Sequence, residues 1–126
     1  VVVLMVDMHM HTLYSDGNDS LLDVLKKCEQ KKLEYIAITD HNTCREYDDT
    51  VWNENIFSGT VIMGAEMNAT LDDGKSIEFL GYNIQNPEII NEWSDKFFSK
   101  EILTEKFENS KQASLEMCER AGLKYN

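Results

Sequence analysis

Apolar and polar residues alternate in blocks along the chain, and these blocks predict strands and helices in turn. Residues 1–10 are apolar and β-branched, long enough for a strand, and turn-forming residues follow them. Residues 20–32 place apolar side chains at helical spacing behind a Ser20 N-cap. Residues 33–39 suit a second strand, so the order strand, helix, strand predicts a parallel pair with a right-handed crossover.

The later blocks predict a third strand, a hairpin and two helices. Asp73-Gly74 is a favourable hairpin turn, and Asn86-Pro87 pairs an N-cap with a proline in the first helical position. The predicted elements are a strand over residues 60–66, hairpin strands over 67–71 and 76–84, a helix after Pro87, and a helix over 101–120 that ends near Gly122.

The length of 126 residues, 42% of them apolar, predicts one modest hydrophobic core. We find no Gly/Ser linker, internal repeat or low-complexity segment, so residues 1–126 are expected to form a single α/β domain. The sequence stops after a predicted helix, where another strand would be expected. This pattern predicts a domain truncated at its C-terminal end.

The charge balance of 12 Lys and Arg against 23 Asp and Glu gives a net charge of −11. Such a surface disfavours nucleic-acid binding through a broad basic face, although it does not exclude it. Phosphorylated ligands remain compatible with it, because bound divalent cations supply positive charge locally.

Cysteine usage and the N-terminal run predict a cytoplasmic protein that does not bind membranes. Cys28, Cys44 and Cys118 are odd in number and lack metal-like spacing, and no secretory leader is visible. The opening VVVLMV is too short to span a bilayer and is predicted to be a buried strand.

Two histidines end the first predicted strand, and the third ends the second. His9 and His11 are two residues apart, so on a strand their side chains share one face with that of Asp7. Asp40 and His41 follow the second strand at the corresponding edge of a parallel sheet.

The third predicted strand ends in Glu66, at the same edge of the sheet. A histidine pair alone is weak evidence for a metal, but all three histidines are predicted to meet acidic residues at strand ends. Imidazole with carboxylate is a ligand set suited to Zn, Mn or Fe.

The segments DMHMHT, SDG, ITDHN and GAE, in this order and spacing, resemble the first motifs of the PHP (polymerase and histidinol phosphatase) superfamily. The resemblance covers residues 3–84. It implies the N-terminal part of a distorted (β/α)7 barrel with parallel strands and flanking helices. It also implies two or three divalent metal ions and metal-dependent hydrolysis of phosphate esters.

Carried over by position, His9 and His11 would hold one metal together with Glu66, whose carboxylate would bridge to a second. Asp16 and His41 match positions that hold another metal. The resemblance therefore makes Glu66, His41 and Asp16 the residues on which catalysis would depend.

Asp7 and Asp40 would be neighbours in or just outside the ligand shell. In the family, the next motif is a histidine, an apolar residue and Leu-Gly-Tyr, whereas EFLGY places Glu78 where the histidine would be. Glutamate can ligate Mn or Zn, so either the site persists with altered preference or it has lost one metal. The family's later ligands, a histidine and an Asp-X-His pair, have no match, because no histidine follows Glu78.

The resemblance implies that a metal-activated water hydrolyses a small phosphate ester. Few basic residues surround the motifs, which favours a nucleotide or sugar phosphate as substrate. Arg45 is the nearby cation that would hold a distal phosphate, although an ordinary surface arginine is the more frequent interpretation. The alternatives are a degenerate PHP module with a structural or interaction role, a metal-dependent 3'-5' exonuclease, and a non-enzymatic metal-binding protein.

The later helices carry large apolar side chains that are predicted to be core. Part of this surface would be uncovered in half a barrel, which predicts a homo-oligomer or poor solubility. These side chains are Trp93, Phe97, Phe98, Phe107 and Met117.

Overall fold

A computed structural model shows an α/β arrangement in which a parallel sheet precedes an antiparallel hairpin. It describes residues 1–99, 101, 104–105, 108–109, 111–112, 115–116 and 120. The chain divides into two compact units, Val1–Glu92 and Trp93–Asn126. That the chain is a single domain remains a prediction.

Within residues 1–99, the regular structure consists of five strands, two α-helices and two short 3-10 helices. The strands are β1 (Val6–Asp7), β2 (Tyr35–Ile36), β3 (Thr60–Val61), β4 (Gly64–Thr70) and β5 (Ser76–Tyr82). The helices are α1 (Leu21–Gln30) and α2 (Pro87–Phe97), with short 3-10 helices over Arg45–Asp48 and Thr50–Glu54. The order β1-β2-β3 is parallel throughout, and β4 pairs with β5 in antiparallel register.

Helix α1 supplies most of the core. The Ser20 hydroxyl caps it by accepting the Asp23 N–H at 3.1 Å, as predicted, and thereby satisfies one of the N–H groups that lack a partner within the helix. One face of α1 then packs against the second strand. The buried residues of this core are Leu21, Val24, Leu25, Cys28, Ile36 and Ile38.

The hairpin prediction is confirmed, but its first strand, β4, begins at Gly64. The predicted third strand over residues 60–66 is therefore wrong in its extent: β3 ends at Val61, and Glu66 lies within the antiparallel β4. The prediction of a buried first strand is also wrong. Gly74 lies at the hairpin turn with a φ of +85°, which glycine adopts without steric cost. Regular pairing of β1 covers only Val6–Asp7, and the six residues of VVVLMV are exposed. The reason is position, because β1 is an edge strand of the three-stranded sheet.

Backbone pairing continues past the regular strands and aligns their carboxyl ends. The Thr39 N–H donates to the Met10 carbonyl at 2.8 Å, and the Glu66 N–H donates to the Asp40 carbonyl at 3.1 Å. His41 and Glu66 form an isolated parallel bridge. The segments that follow β1 and β2 and the start of β4 therefore lie side by side.

The second unit is described only in part. The Trp93 ring lies 6.2 Å from that of Phe97 and 4.9 Å from that of Phe98, measured between centroids. The described residues between 101 and 120 are helical. The remainder of the predicted 101–120 helix lies outside the described residues, together with Phe107, Met117, Cys118 and Gly122.

None of the helices in the described part of the chain is both long and apolar enough to cross a membrane.

Candidate metal centre

Glu66 lies at the centre of a cluster of three histidines. Its Oε2 atom lies 3.2 Å from Nε2 of His9, 3.1 Å from Nε2 of His11 and 3.4 Å from Nε2 of His41. The Nε2 atoms of His9 and His11 are themselves 3.2 Å apart. Only 9% of the Glu66 side chain is exposed, so this convergence takes place at a largely buried oxygen.

Asp16 extends the cluster on the side of His11 and His41. Its Oδ2 lies 3.2 Å from Nε2 of His41, and its Oδ1 lies 3.7 Å from Nδ1 of His11. The His11 and His41 rings are stacked, with centroids 4.6 Å apart. The Asp16 side chain is 67% exposed, so this edge of the cluster faces solvent.

The donor set fits divalent cations. One carboxylate oxygen offers about two lone pairs, so the three Nε2 atoms within 3.4 Å of Glu66 Oε2 cannot all donate hydrogen bonds to it. Nδ1 of His11 is buried and has no hydrogen-bond partner in the described part of the chain. The lone pairs of these nitrogen and oxygen atoms would bind a cation placed among them.

The candidate ligands form two groups that share His11. Within each group the ligand atoms lie within 4.8 Å of one another. The first group contains His9, His11 and Glu66, and the second contains His11, Asp16 and His41. The structure thus brings together five of the six residues predicted as ligands, and metal binding itself is a proposal.

The buried Asp40 carboxylate fixes the loop that carries the first ligands. Its Oδ1 accepts the Thr12 N–H at 2.7 Å and the Ser15 hydroxyl at 2.5 Å, and its Oδ2 accepts the Thr12 hydroxyl at 2.7 Å. Asp40 and Thr12 are both fully buried. Because the loop joins His11 to Asp16, these bonds fix the spacing of two ligands of the second group.

The remaining predicted residues lie apart from the two ligand groups. Asp7 Oδ1 accepts the His9 N–H at 3.2 Å, and Glu78 Oε1 accepts from the Asn68 amide at 3.1 Å. The exposed Arg45 donates from Nη2 to the Asn91 carbonyl at 3.5 Å. A ligand role for Glu78 stays a prediction.

Glu46 is a buried acid beside this region. It is fully buried, and neither of its carboxylate oxygens has a hydrogen-bond partner within the described ranges. Burial and, to a lesser extent, the nearby Asp40 carboxylate together raise the pKa of Glu46 to about 9. Glu46 is therefore protonated and uncharged at neutral pH.

Tyr14, on the loop between His11 and Asp16, contacts Asp49, the residue before the second 3-10 helix. Its hydroxyl donates to Asp49 Oδ2 at 2.7 Å. This bond, with burial and the Asp49 charge, raises the pKa of Tyr14 to about 12. The same bond and the Val51 N–H lower the pKa of Asp49.

Sequence reasoning missed the groups that hold the ligands in place. Thr12 and Ser15 stand within the motif segments DMHMHT and SDG, so their position beside the ligands was a usable signal. Glu46 carried no such signal, because it lies among charged residues in a stretch with no clear period. Its burial follows only from tertiary structure.

Curated relatives match the chain over parts of their length. An uncharacterized protein of Methanocaldococcus jannaschii is 35% identical over 51% of this chain and 44% of its own. The phosphoribosyl 1,2-cyclic phosphate 1,2-diphosphodiesterase of Eggerthella lenta is 28% identical over 63% of this chain and 30% of its own. The DNA polymerase/3'-5' exonuclease PolX of Bacillus subtilis is 44% identical over 29% of this chain and 6% of its own. The chain thus spans less than half the length of these relatives.

Solved structures share the fold. An amidohydrolase from Chromobacterium violaceum, with bound sulfate and no metal, superposes with a TM-score of 0.65 at 20% identity over 90% of this chain and 39% of its own. A candidate metal-dependent phosphoesterase from Bifidobacterium adolescentis gives a TM-score of 0.54 at 23% identity over 64% of this chain and 28% of its own. At these identities the likeness concerns the fold alone.

The PHP domain family matches residues 7–123, which include all of the motif segments and both ligand groups. The resemblance predicted from those segments is confirmed: the chain belongs to the PHP domain family.

Proposed function

We propose that this chain provides part of the metal centre of a phosphoesterase that hydrolyses a small phosphate ester with a metal-activated water. The observation that carries the proposal is the convergence of three histidine Nε2 atoms within 3.4 Å of Glu66 Oε2. Family membership and the activities of two relatives, a diphosphodiesterase and an exonuclease, support hydrolysis of phosphate esters.

The protein's own residues would bind and orient. His9, His11 and Glu66 would hold one cation, and Asp16 and His41 would hold another with His11 at their border. When bound, divalent cations lower the pKa of water and offset the charge that grows on phosphoryl oxygens. Asp40 would keep the ligand spacing constant while the substrate exchanges.

The number and identity of the cations are further parts of the proposal. A carboxylate between two cations gains from both charges, and the position of Glu66 among three imidazoles suits that role. Mixed imidazole and carboxylate ligands favour two or three ions of Zn, Mn or Fe.

We also propose that β1, β2 and β3 belong to a distorted (β/α)7 barrel, which their parallel order supports.

The substrate is proposed to be a nucleotide or sugar phosphate. The net charge of −11 limits binding of a long polyanion, whereas a single phosphate can be held by cations at the centre. The exposed Arg45 would contact a distal phosphate of the substrate. A cytoplasmic location and a homo-oligomer belong to the same proposal.

The test measures phosphate release from a panel of phosphomonoesters with added Mn²⁺. We expect release by the wild-type protein and its loss in Glu66→Gln. Asp72→Asn is the matched control, because Asp72 is exposed at the hairpin turn and the substitution removes the same charge. If Mn²⁺ binds but no ester is hydrolysed, the phosphoesterase proposal is contradicted. That result would favour a structural role or simple metal binding.

A further inference from the structure

The hairpin of β4 and β5 carries further side chains on the same side as Glu66. Side chains alternate along a strand, so Asn68 on β4 shares the face of Glu66, roughly 7 Å further along. Asn68 pairs across the hairpin with Glu78 on β5, and directly opposite residues point to the same side. Glu66, Asn68 and Glu78 therefore form one row that begins at the cluster.

Hydrogen bonds hold this row in one orientation. The Asn42 amide donates to Asn68 Oδ1 at 2.9 Å, and the Asn68 N–H donates back to Asn42 Oδ1 at 2.9 Å. The Asn68 side-chain amide then donates to Glu78 Oε1 at 3.1 Å. Asn42 itself has a φ of 56°, and its N–H donates to the Glu66 carbonyl at 2.9 Å, which ties the row to the ligand strand.

The charge and exposure of Glu78 decide what this row can bind. Glu78 is exposed, and an ionised carboxylate is solely an acceptor of hydrogen bonds. It would repel a phosphoryl group, so it suits a part of the ligand that carries donors and no negative charge. A carboxylate accepts hydrogen bonds and a side-chain amide donates them, so the two side by side can bind neighbouring hydroxyl groups.

We propose that Glu78, positioned by Asn68, binds hydroxyl groups of the organic half of the substrate and so selects phosphate esters of polyhydroxylated alcohols. The inference rests on the proposed function and assigns a specificity role at the same site. It also differs from the prediction that Glu78 replaces a metal-binding histidine. The two roles of Glu78 give opposite results for metal affinity.

The test compares ribose 5-phosphonate with pentyl phosphonate, whose carbon–phosphorus bonds prevent ester hydrolysis during a calorimetric titration in the presence of Mn²⁺. The wild-type protein should bind the ribose compound about tenfold more tightly, as expected for hydrogen bonds to a charged group. Glu78→Gln and Asn68→Ala should lose this preference. Affinities of Glu78→Gln for Mn²⁺ and for pentyl phosphonate should stay within about twofold of wild type, and Asp72→Asn should keep the preference.

Equal affinity of the wild-type protein for both phosphonates, or no affinity for either, would overturn the inference. A parallel loss of Mn²⁺ and phosphonate affinity in Glu78→Gln would also overturn it, because Glu78 would then serve the cation. Phosphate release from ribose 5-phosphate is measured separately. Release without a binding preference contradicts the specificity role alone, whereas a preference without release supports that role and contradicts the phosphoesterase proposal.

Discussion

The imidazole rings of His11 and His41 stack with their planes 3° apart and their centroids separated by 4.6 Å. One ring follows β1 and the other follows β2, so the stack depends on the register in which these strands pair. A slip by one residue would turn one of the rings away from the other. The ligand geometry is therefore a consequence of sheet register as much as of the residues themselves.

Glu66→Gln should weaken Mn²⁺ binding more than Asp7→Asn does. Glu66 contributes the oxygen on which three imidazoles converge, whereas Asp7 contacts the backbone N–H of His9. We expect a loss of about 100-fold or more for Glu66→Gln. For Asp7→Asn we expect about tenfold, the low end of the range for residues that only orient ligands. Calorimetric titration with Mn²⁺ measures both, and equal losses would contradict the central place given to Glu66.

Asp40→Asn should destabilise the fold and weaken metal binding together. The substitution removes a buried carboxylate that accepts three hydrogen bonds from Thr12 and Ser15. Hydrogen bonds to charged groups contribute more than neutral ones, so we expect a loss of about 3 kcal/mol in the free energy of unfolding, and about 1 kcal/mol for Thr12→Val. Urea unfolding measures these losses, and an Asp40→Asn protein as stable as Asp72→Asn would show that the loop holds its shape by other means.

Glu46→Gln should change how stability depends on pH. The pKa of Glu46 is about 9 in the folded protein against an ordinary value of 4.5, so between these values the folded state binds the extra proton. The contribution of Glu46 to the free energy of unfolding therefore falls as pH rises through this window. Relative to wild type, Glu46→Gln should gain about 1.4 kcal/mol per pH unit between pH 5 and 8.

Urea unfolding of wild type and Glu46→Gln at pH 5, 6, 7 and 8 measures that slope. The histidines titrate in both proteins, so the difference between the two isolates Glu46. Glu54→Gln is the matched control, because Glu54 is exposed on the neighbouring 3-10 helix. Parallel curves for wild type and Glu46→Gln would contradict the protonated state of Glu46.

Ser20→Ala should remove the N-cap of α1 and cost about 1 kcal/mol in the free energy of unfolding. The Ser20 hydroxyl accepts the Asp23 N–H, which would otherwise lack a partner in the first turn. Ser20→Gly should cost only a few tenths, because glycine is tolerated at this position. Thermal unfolding compares the two variants, and equal costs would argue against the capping bond.

The sequence was most informative where chemistry and periodicity coincide. His9, His11 and His41 were predicted at the ends of parallel strands, and the structure places them around one oxygen of Glu66, which lies within β4 instead of ending the third strand. The hairpin followed from Asp73-Gly74, whose turn chemistry acts within a few residues.

What could not be predicted depends on residues far apart along the chain. VVVLMV looked like buried strand, yet its exposure depends on β1 lying at the edge of the sheet. No sequence pattern linked Asn42 to Asn68, although their amides pair across 26 residues of sequence. Hydrophobic periodicity carries no information on such partners.

The candidate ligands lie at positions 9, 11, 16, 41 and 66, on segments that only the folded chain brings together. A cation held by all of them binds the native state but not the unfolded chain. Such binding adds RT ln(1 + [M]/Kd) to the free energy of unfolding. At a hundredfold excess over Kd this amounts to about 2.7 kcal/mol, a sizeable fraction of the stability of a small protein. A cation bound at Glu66 would then link β4 to the segments that follow β1 and β2. The melting temperature would rise with the metal concentration.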